Sequence, residues 1–480
     1  MNIGLSIGVK ASVVYVLSSL LSRGVAIITM PIFTRLMSTE QVGVVNLFTL
    51  WNSTLEIFAT CALTSGGLFV AMKEFSDDRN RYLSSILTLT TLISLFLIVV
   101  CCMFSKKFEE MLGLSKLVIV FMFIGFVFTP ARDFFLARQR YEYKYKTSGT
   151  VTIMTAFFAS LVSVVAVVFA NKKGVKALGE IRLFSSFIVT YGISLFFWIY
   201  IFIKGGVKIN FSYWKYSLVL SIPLMGNALA SQILNMSDRV MISKMVNNSA
   251  VGIYSVLYSA TSLSLIVWSA INNSFVPFLF EKIGKDEEHD SIKRRSTQIM
   301  LVYSGAAVLL TLIAPEIIRF LATEDYYESI YIMPPIAAGI FLTSIHHMYS
   351  NILLYYKKSQ FIMLATSFAA IVNVMLNYFG IRRYGYMAAA YTTLLAHIVL
   401  ALIQAAVSKR AHFKQTGKNN SVYDDFFLFV LCTVTVILCL LCLPLYKFTY
   451  MRYVFVLLGM LVFFAFRNKV IAIFRGFHFI

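Results

Sequence analysis

The chain is 480 residues long, and 59% of them are hydrophobic, 15% aromatic and only 13% charged. Soluble globular chains carry roughly 45–50% apolar and about 25% charged residues, so an ordinary cytosolic enzyme is excluded, and 43 Phe with 26 Tyr at this low charge exclude a disordered chain. A net charge of +20 would suggest nucleic acid in a soluble chain. Apolarity spread over the whole length reads instead as an all-α polytopic membrane protein whose Lys and Arg set its orientation, with no nucleic-acid partner.

A helix needs about 20 mainly apolar residues to cross a bilayer. Fourteen stretches qualify: 10–34, 41–70, 82–105, 115–137, 147–170, 177–203, 213–242, 249–280, 296–320, 328–355, 360–381, 386–408, 425–446 and 450–466. The loops between them are too short for a folded extramembrane domain. With the N-terminus inside, 25 Lys and Arg fall in cytoplasmic segments, 13 fall on the opposite side and four fall within spans. That asymmetry predicts both termini on the cytoplasmic side. The first run contains Arg23 and continues into Pro31-Ile-Phe-Thr-Arg35 without a small-residue cleavage site, so it is expected to remain a span.

Taken along the chain, the charges within the spans are the candidate site. Arg23 lies mid-span 1 in Ser18-Ser19-Leu-Leu-Ser22-Arg23, where its planar guanidinium offers a fork to a phosphate or pyrophosphate. The alternative is an ion pair with Glu56, at similar depth in span 2. Arg132 and Asp133 follow Pro130 in span 4, and with Arg138 and Arg140 they suit either an anionic headgroup or a positive-inside anchor. Glu180 and Arg182 in span 6, and Asp238 and Arg239 in span 7, lie near the external ends. There they can snorkel to the interface, as gating or structural ion pairs or as a second anion station. His346 and His347 in span 10 and His397 in span 12 suit either proton transfer or hydrogen-bonded packing. Asn373 and Asn377, four apart and so on one face of span 11, suit sugar hydroxyls or interhelical hydrogen bonds. Pro31, Pro223, Pro277 and the pair Pro334-Pro335 are expected to mark kinks.

No catalytic constellation emerges. A Walker A motif is absent, so ATP hydrolysis is not expected, and neither a cofactor nor a metal site is. The six cysteines lie in apolar runs, and Cys439 and Cys442, despite their CxxC spacing, lack His or acidic neighbours and are expected to face lipid.

The sequence carries a repeat. A shift of 209 residues lays Thr34-Arg35-Leu36-Met37 on Ser243-Lys244-Met245-Val246 and Val42-Gly43-Val44 on Val251-Gly252-Ile253, and a shift of 211 lays Gly174–Gly179 on Gly385–Ala390. Six spans per repeat preserve orientation, which makes the halves parallel repeats with a substrate path expected between them. The expected division is 1–210, 211–412 and, for two additional spans, 413–480.

Two segments carry a family likeness. One is Pro31-Ile-Phe-Thr-Arg35-Leu-Met-Ser-Thr-Glu40-Gln-Val-Gly43-Val-Val-Asn46-Leu47, echoed at Ser237–Lys244 and Val251–Val256. The other is Asn373-Val-Met-Leu-Asn377-Tyr378 followed by Tyr384-Gly385, Ala388-Ala-Ala390 and Thr393. Together they resemble the Wzx-type O-antigen and polysaccharide flippases of the multidrug/oligosaccharidyl-lipid/polysaccharide (MOP) exporter superfamily. The resemblance implies a MATE-like arrangement of two six-helix lobes in a V plus two C-terminal helices, in a bacterial inner membrane. It also implies a cargo of oligosaccharide repeat units on undecaprenyl pyrophosphate, moved to the periplasmic leaflet by alternating access through a cationic cavity for O-antigen, lipopolysaccharide or capsule assembly. On that reading Arg23, Arg132, Arg182, Arg239, Asn373 and Asn377 are substrate-binding candidates. Glu56, Glu180, Asp238, His346 and His347 are pairing or coupling candidates. H+ or Na+ and the polysaccharide polymerase machinery are open as partners. Rival readings are a cation-coupled multidrug exporter of the same superfamily and a membrane polymerase or ligase, the latter disfavoured by the short loops.

Overall fold

The computed structural model describes residues 7–65, 67–417 and 420–475. The chain ends, expected on the cytoplasmic side, lie outside the described residues. The elements in chain order are α1 (Ile7–Leu36), α2 (Thr39–Ala59), α3 (Gly67–Glu74), α4 (Arg79–Met103), α5 (Ser105–Leu112), α6 (Lys116–Tyr141), α7 (Tyr145–Lys172), α8 (Leu178–Gly205) and α9 (Phe211–Met245). They continue with α10 (Asn248–Thr261), α11 (Leu263–Lys282), α12 (His289–Leu312), α13 (Ala314–Leu321), α14 (Met333–Tyr355), α15 (Ser359–Tyr384), α16 (Ala388–Thr416), α17 (Asp425–Leu445) and α18 (Thr449–Arg475). No strand occurs among the described residues. Among the described residues eleven helical segments are long and apolar enough to cross a membrane, and thirteen if each of two bent pairs counts as one span. With the shorter apolar stretch Thr449–Ala465 they follow the fourteen runs read from the sequence. The protein is a multi-pass α-helical membrane protein.

Three expected runs are interrupted, one of them by a single residue within what remains one span. The run 41–70 stops at α2, where the Cys61 and Ala62 amides return to the Phe58 and Ile57 carbonyls, a helix-ending pair of bonds. Both residues sit at positive φ without being glycine. The run 249–280 parts into α10 and α11 at Ser262. The run 296–320 bends by 58° between α12 and α13, where Pro315 opens the new helix. Conversely, Pro334 and Pro335 do not kink a helix but occupy the first turn of α14, where a missing amide proton costs nothing. Pro223 lies where α9 bends by 43°, and its side chain is outside the described residues.

The chain forms two compact units, Met1–Gly252 and Ile253–Ile480. In the first, α1 packs on α7, α7 on α8, and α6 on both α4 and α8. Although α9 opens the second half of the expected repeat, it packs on α2, α3 and α4 and belongs to the first unit. In the second unit α14 packs on α16, and both helices carry buried small residues, among them Ala337, Ala338, Ala389, Ala390 and Ala396; α15 and α17 flank them. Small residues let helix backbones approach where lipid supplies no hydrophobic drive. Cys439 and Cys442 are buried, not lipid-facing, because their side of α17 packs on α12: the Thr311 hydroxyl contacts Cys439 Sγ at 3.7 Å. The last helix is locked on by Arg452, whose two Nη groups each donate to a Glu316 oxygen at 2.6 Å.

Gly43 of α2 and Gly252 of α10 let their helices approach closely. A Cβ at Gly43 would lie 1.8 Å from the Asn248 carbonyl oxygen, and one at Gly252 would lie 2.1 Å from that of Thr39. The hydroxyls of Thr39 and Ser249 meet at 2.5 Å beside them. The 209-residue shift exchanges the two glycine contacts, since it carries 39 to 248 and 43 to 252. Similarly, α6 and α14 end with Tyr143 and Lys357 at positive φ, each closed by the same pair of amide bonds. Gly43→Ala is expected to destabilise by about 1–3 kcal/mol. Gly305→Ala, where nothing lies within 4 Å, should be neutral or stabilising by a few tenths to about 1 kcal/mol. Thermal unfolding of the purified variants in detergent checks the contrast.

Candidate functional site

A charged side chain at bilayer centre costs about 2.5–3.5 kcal/mol on insertion scales unless it meets a partner or water, so each such residue is read by what it touches. Ser18 of α1 faces α7, where the missing side chain of Gly149 leaves its hydroxyl room: a Cβ there would come within 2.7 Å. The Ser18 and Ser22 hydroxyls return to the Val14 and Ser18 carbonyls at 2.7 and 2.8 Å. Arg23 stands on an exposed side of α1, as does Ser19, and has no hydrogen-bond or ion-pair partner among the described residues.

Arg23 does not pair with Glu56. The charges nearest Glu56 are Asp133 and Arg132 of α6, with Thr129 beside it. Arg132 already gives its Nε (3.1 Å) and Nη2 (2.9 Å) to Asp133 Oδ1, which leaves Glu56 without an ion pair among the described residues. Fully ionised, these three groups carry one uncompensated negative charge. Tyr191 of α8 adds a hydroxyl near Glu56 that has no hydrogen-bond partner among the described residues. Its ring end fits because Gly125 has no Cβ, which would otherwise stand 2.3 Å from the hydroxyl. Two carboxylates, a guanidinium and two hydroxyls in one place can hold a proton or a small cation.

The other expected residues of this unit are engaged. The Arg182 guanidinium lies 3.9 Å from the centroid of the Phe33 ring, a cation–π contact between α8 and α1. Glu180 accepts from the Ser115 hydroxyl at 3.4 Å. Asp238 and Arg239 do not snorkel: they are 1% and 7% exposed, with Asp238 accepting the Arg239 amide at 2.8 Å and Arg239 Nη2 donating to the Asn235 carbonyl at 2.9 Å. Arg138 donates to Glu142 (2.8 Å) and Asn80 (2.6 Å), and Lys144 donates to the other Glu142 oxygen at 2.6 Å.

In the second unit Asn373 and Asn377 are fully buried in the α15–α16 seam. The Asn373 amide donates to Thr393 at 3.0 Å, that of Asn377 donates to Asn373 at 3.1 Å, and the Thr392 hydroxyl donates to Asn377. This ladder joins helices and leaves no surface for a sugar in this conformation. The rings of His346 and His347 lie 4.4 Å apart. The Trp268 indole donates to His347 Nδ1 at 3.0 Å, which makes that nitrogen the acceptor and puts the ring proton of a neutral His347 on Nε2. His397 Nδ1 lies 3.4 Å from the Thr343 hydroxyl. Among the described residues no group of three His, Cys, Asp or Glu could hold a metal.

Thr129, Tyr191 and Trp268 went unmarked in the sequence because hydroxyls and indoles are common in apolar runs. Only the crossing of α2, α6 and α8 gathers the first two round Glu56.

Residues 9–283 match a family described as polysaccharide biosynthesis protein, and residues 223–379 match the MatE family. Comparison with curated proteins gives no match. Among solved structures the chain is similar to the lipid II flippase MurJ in an inward closed conformation, at 15% identity over 95% of this chain and 99% of that one, with a TM-score of 0.65. It is also similar to an inward-facing multidrug resistance MATE family transporter of the MOP superfamily, at 14% identity over 84% and 96%, TM-score 0.65. A MOP superfamily transporter from Pyrococcus furiosus, described as having a binding pocket of reverse polarity, matches at 13% identity over 85% and 97%, TM-score 0.59. At such identities the likeness is one of fold.

The α6–α7 corner yields a pH prediction. Burial alone would raise the Glu142 carboxyl, but the hydrogen bonds from Lys144 and Arg138 outweigh it and hold the group below its ordinary range. A lowered carboxyl contributes stability that is present above the ordinary carboxylate pKa and lost as pH falls through the lowered one. Glu142→Gln should therefore cost about 0.5–1 kcal/mol at neutral pH, the range for partly exposed pairs. The difference from wild type should shrink as pH falls below the ordinary carboxylate range and close once the lowered carboxyl is itself protonated. Unfolding temperatures of both proteins across pH read this directly.

Proposed function

The chain belongs to the polysaccharide biosynthesis protein family, within the MOP exporter superfamily of membrane transporters, and on that premise we propose that it flips polyprenyl-pyrophosphate-linked oligosaccharide repeat units across a bacterial inner membrane for O-antigen or capsule assembly. The observation that carries this reading is Arg23: a guanidinium placed mid-span, exposed, and without a protein partner among the described residues. Such a group needs an anion or water, and a pyrophosphate matches its fork with two charge-assisted hydrogen bonds. Both termini lie in the cytoplasm on this reading, supported by the excess of Lys and Arg in the corresponding loops. The uncompensated Glu56 charge serves as the coupling site, taking up H+ or Na+ as the conformations alternate. A second reading, a cation-coupled multidrug exporter, is supported by two separate observations: the net negative charge round Glu56 suits a cation, and residues 223–379, which do not include that site, match the MatE family.

The test is transfer in proteoliposomes. Lipid-linked oligosaccharide is loaded in one leaflet, and its exposure in the other is followed with a sugar-modifying enzyme. Arg23→Ala should slow transfer about tenfold or more, the worth of a charge-assisted bond pair, and Arg23→Lys should recover part of it. Equal transfer by both variants and wild type removes Arg23 from the headgroup site. Extrusion of a cationic dye without lipid transfer installs the exporter reading. Separately, Glu56→Gln should abolish the response of transport to an imposed ion gradient while sparing exchange without one. An unchanged gradient response would place coupling elsewhere.

A further inference from the structure

The second unit contains a groove that the transport reading does not use. It lies between α14, α16 and α17, has a volume of about 380 Å³, and is lined by apolar side chains including Ile345, Ile398, Ala405, Cys432 and Ile437. Apart from Thr433, its polar groups gather at one end, where Lys409, Tyr349 and Asp425 also line a small second pocket with Ser408, Asn420 and Ser421. The site is thus apolar along its length and polar at one mouth, as an amphiphile requires.

Length and charge identify the occupant. From Asp425 to Ile437 the groove follows twelve residues of α17, about 18 Å, and from Lys409 to Ile398 eleven of α16, about 16 Å. One leaflet of hydrocarbon is about 15 Å thick, so the groove matches a single acyl chain. Asp425 shares the mouth with Lys409 but is held by hydroxyls. Its two oxygens accept from the Tyr349 hydroxyl at 2.8 Å and the Ser421 hydroxyl at 2.5 Å, and no ion pair joins it to Lys409 among the described residues. Lys409 is exposed, with Arg410 and Lys414 exposed on the same end of α16. Lys409 at the mouth of an apolar channel, with Arg410 and Lys414 further along the same end of α16, suits an anionic headgroup.

We propose that this groove is a lipid site holding one acyl chain of an anionic phospholipid, with the lipid phosphate on Lys409. The bound chain completes the packing of α17 against α14 and α16. The site is independent of Arg23 and stands whether or not the transported cargo is the one proposed above.

The full chain, purified in detergent and stripped of lipid, is titrated with phosphatidylglycerol or phosphatidylcholine, and adducts are read by native mass spectrometry. Wild type should retain phosphatidylglycerol about fivefold better than phosphatidylcholine, the worth of about one basic residue at an anionic surface. Lys409→Gln should bring that ratio near one, and Ala405→Trp, which fills the groove, should lose both adducts. A third measurement does not depend on any variant folding. Phosphatidylglycerol should slow N-ethylmaleimide modification of Cys432 in wild type several-fold, read by peptide mass spectrometry, and phosphatidylcholine should slow it less. Three results each overturn the proposal: a ratio unchanged in Lys409→Gln, no protection of Cys432, or retention of a polyprenyl lipid in preference to phosphatidylglycerol.

Discussion

Lipid offers neither hydrogen bonds nor counter-ions, so every charge that these helices carry below the interface must be met by a protein partner, by water or by cargo. Most are met locally. Arg132 holds Asp133, Arg239 lies against Asp238, Arg452 holds Glu316 with both Nη groups, and Arg182 covers the Phe33 ring. Among the described residues Arg23 and Glu56 have no ion pair; one is cationic and one anionic, and they sit on different elements without meeting.

The same solvent explains how the helices adhere. Apolar surface gains little by leaving lipid, so association rests on close approach and on polar seams. Gly43 and Gly252 bring two backbones within reach of each other's carbonyls, and the Asn373–Thr393 and Asn377–Thr392 bonds join α15 to α16. The hydrogen-bonding potential of those two asparagines is turned toward helix neighbours, so the sugar-binding role that their spacing also permitted has no exposed surface in this conformation. The groove lined by α14, α16 and α17 is the converse case, an apolar surface left open where lipid itself can serve as the packing partner.

Much of the fold was legible in the chain. Runs of about twenty apolar residues announce helices because a bilayer admits no other arrangement of a single exposed span. The glycines of the repeat were visible as an offset. Less legible were the breaks. Cys61 and Ala62 adopt positive φ without being glycine, and hydropathy does not register the turn at Ser262. Pro334 and Pro335 show the opposite problem, since the same residue type kinks a helix interior and opens a first turn, and only the helix boundary distinguishes them.

At the site the division is sharper. Composition and periodicity determined that this is a polytopic helical membrane protein and which few residues are charged at depth, because the cost of burying charge makes such residues conspicuous in one dimension. Which charges pair is decided by how helices far apart in the chain cross. Glu56 lies near Arg132 and Asp133, 76 and 77 residues away, because α2 packs on α6, yet Arg132 is turned to Asp133. Trp268 reaches His347 because α11 packs on α14. Pairing depends on distance and direction in three dimensions, and only the tertiary structure supplies them.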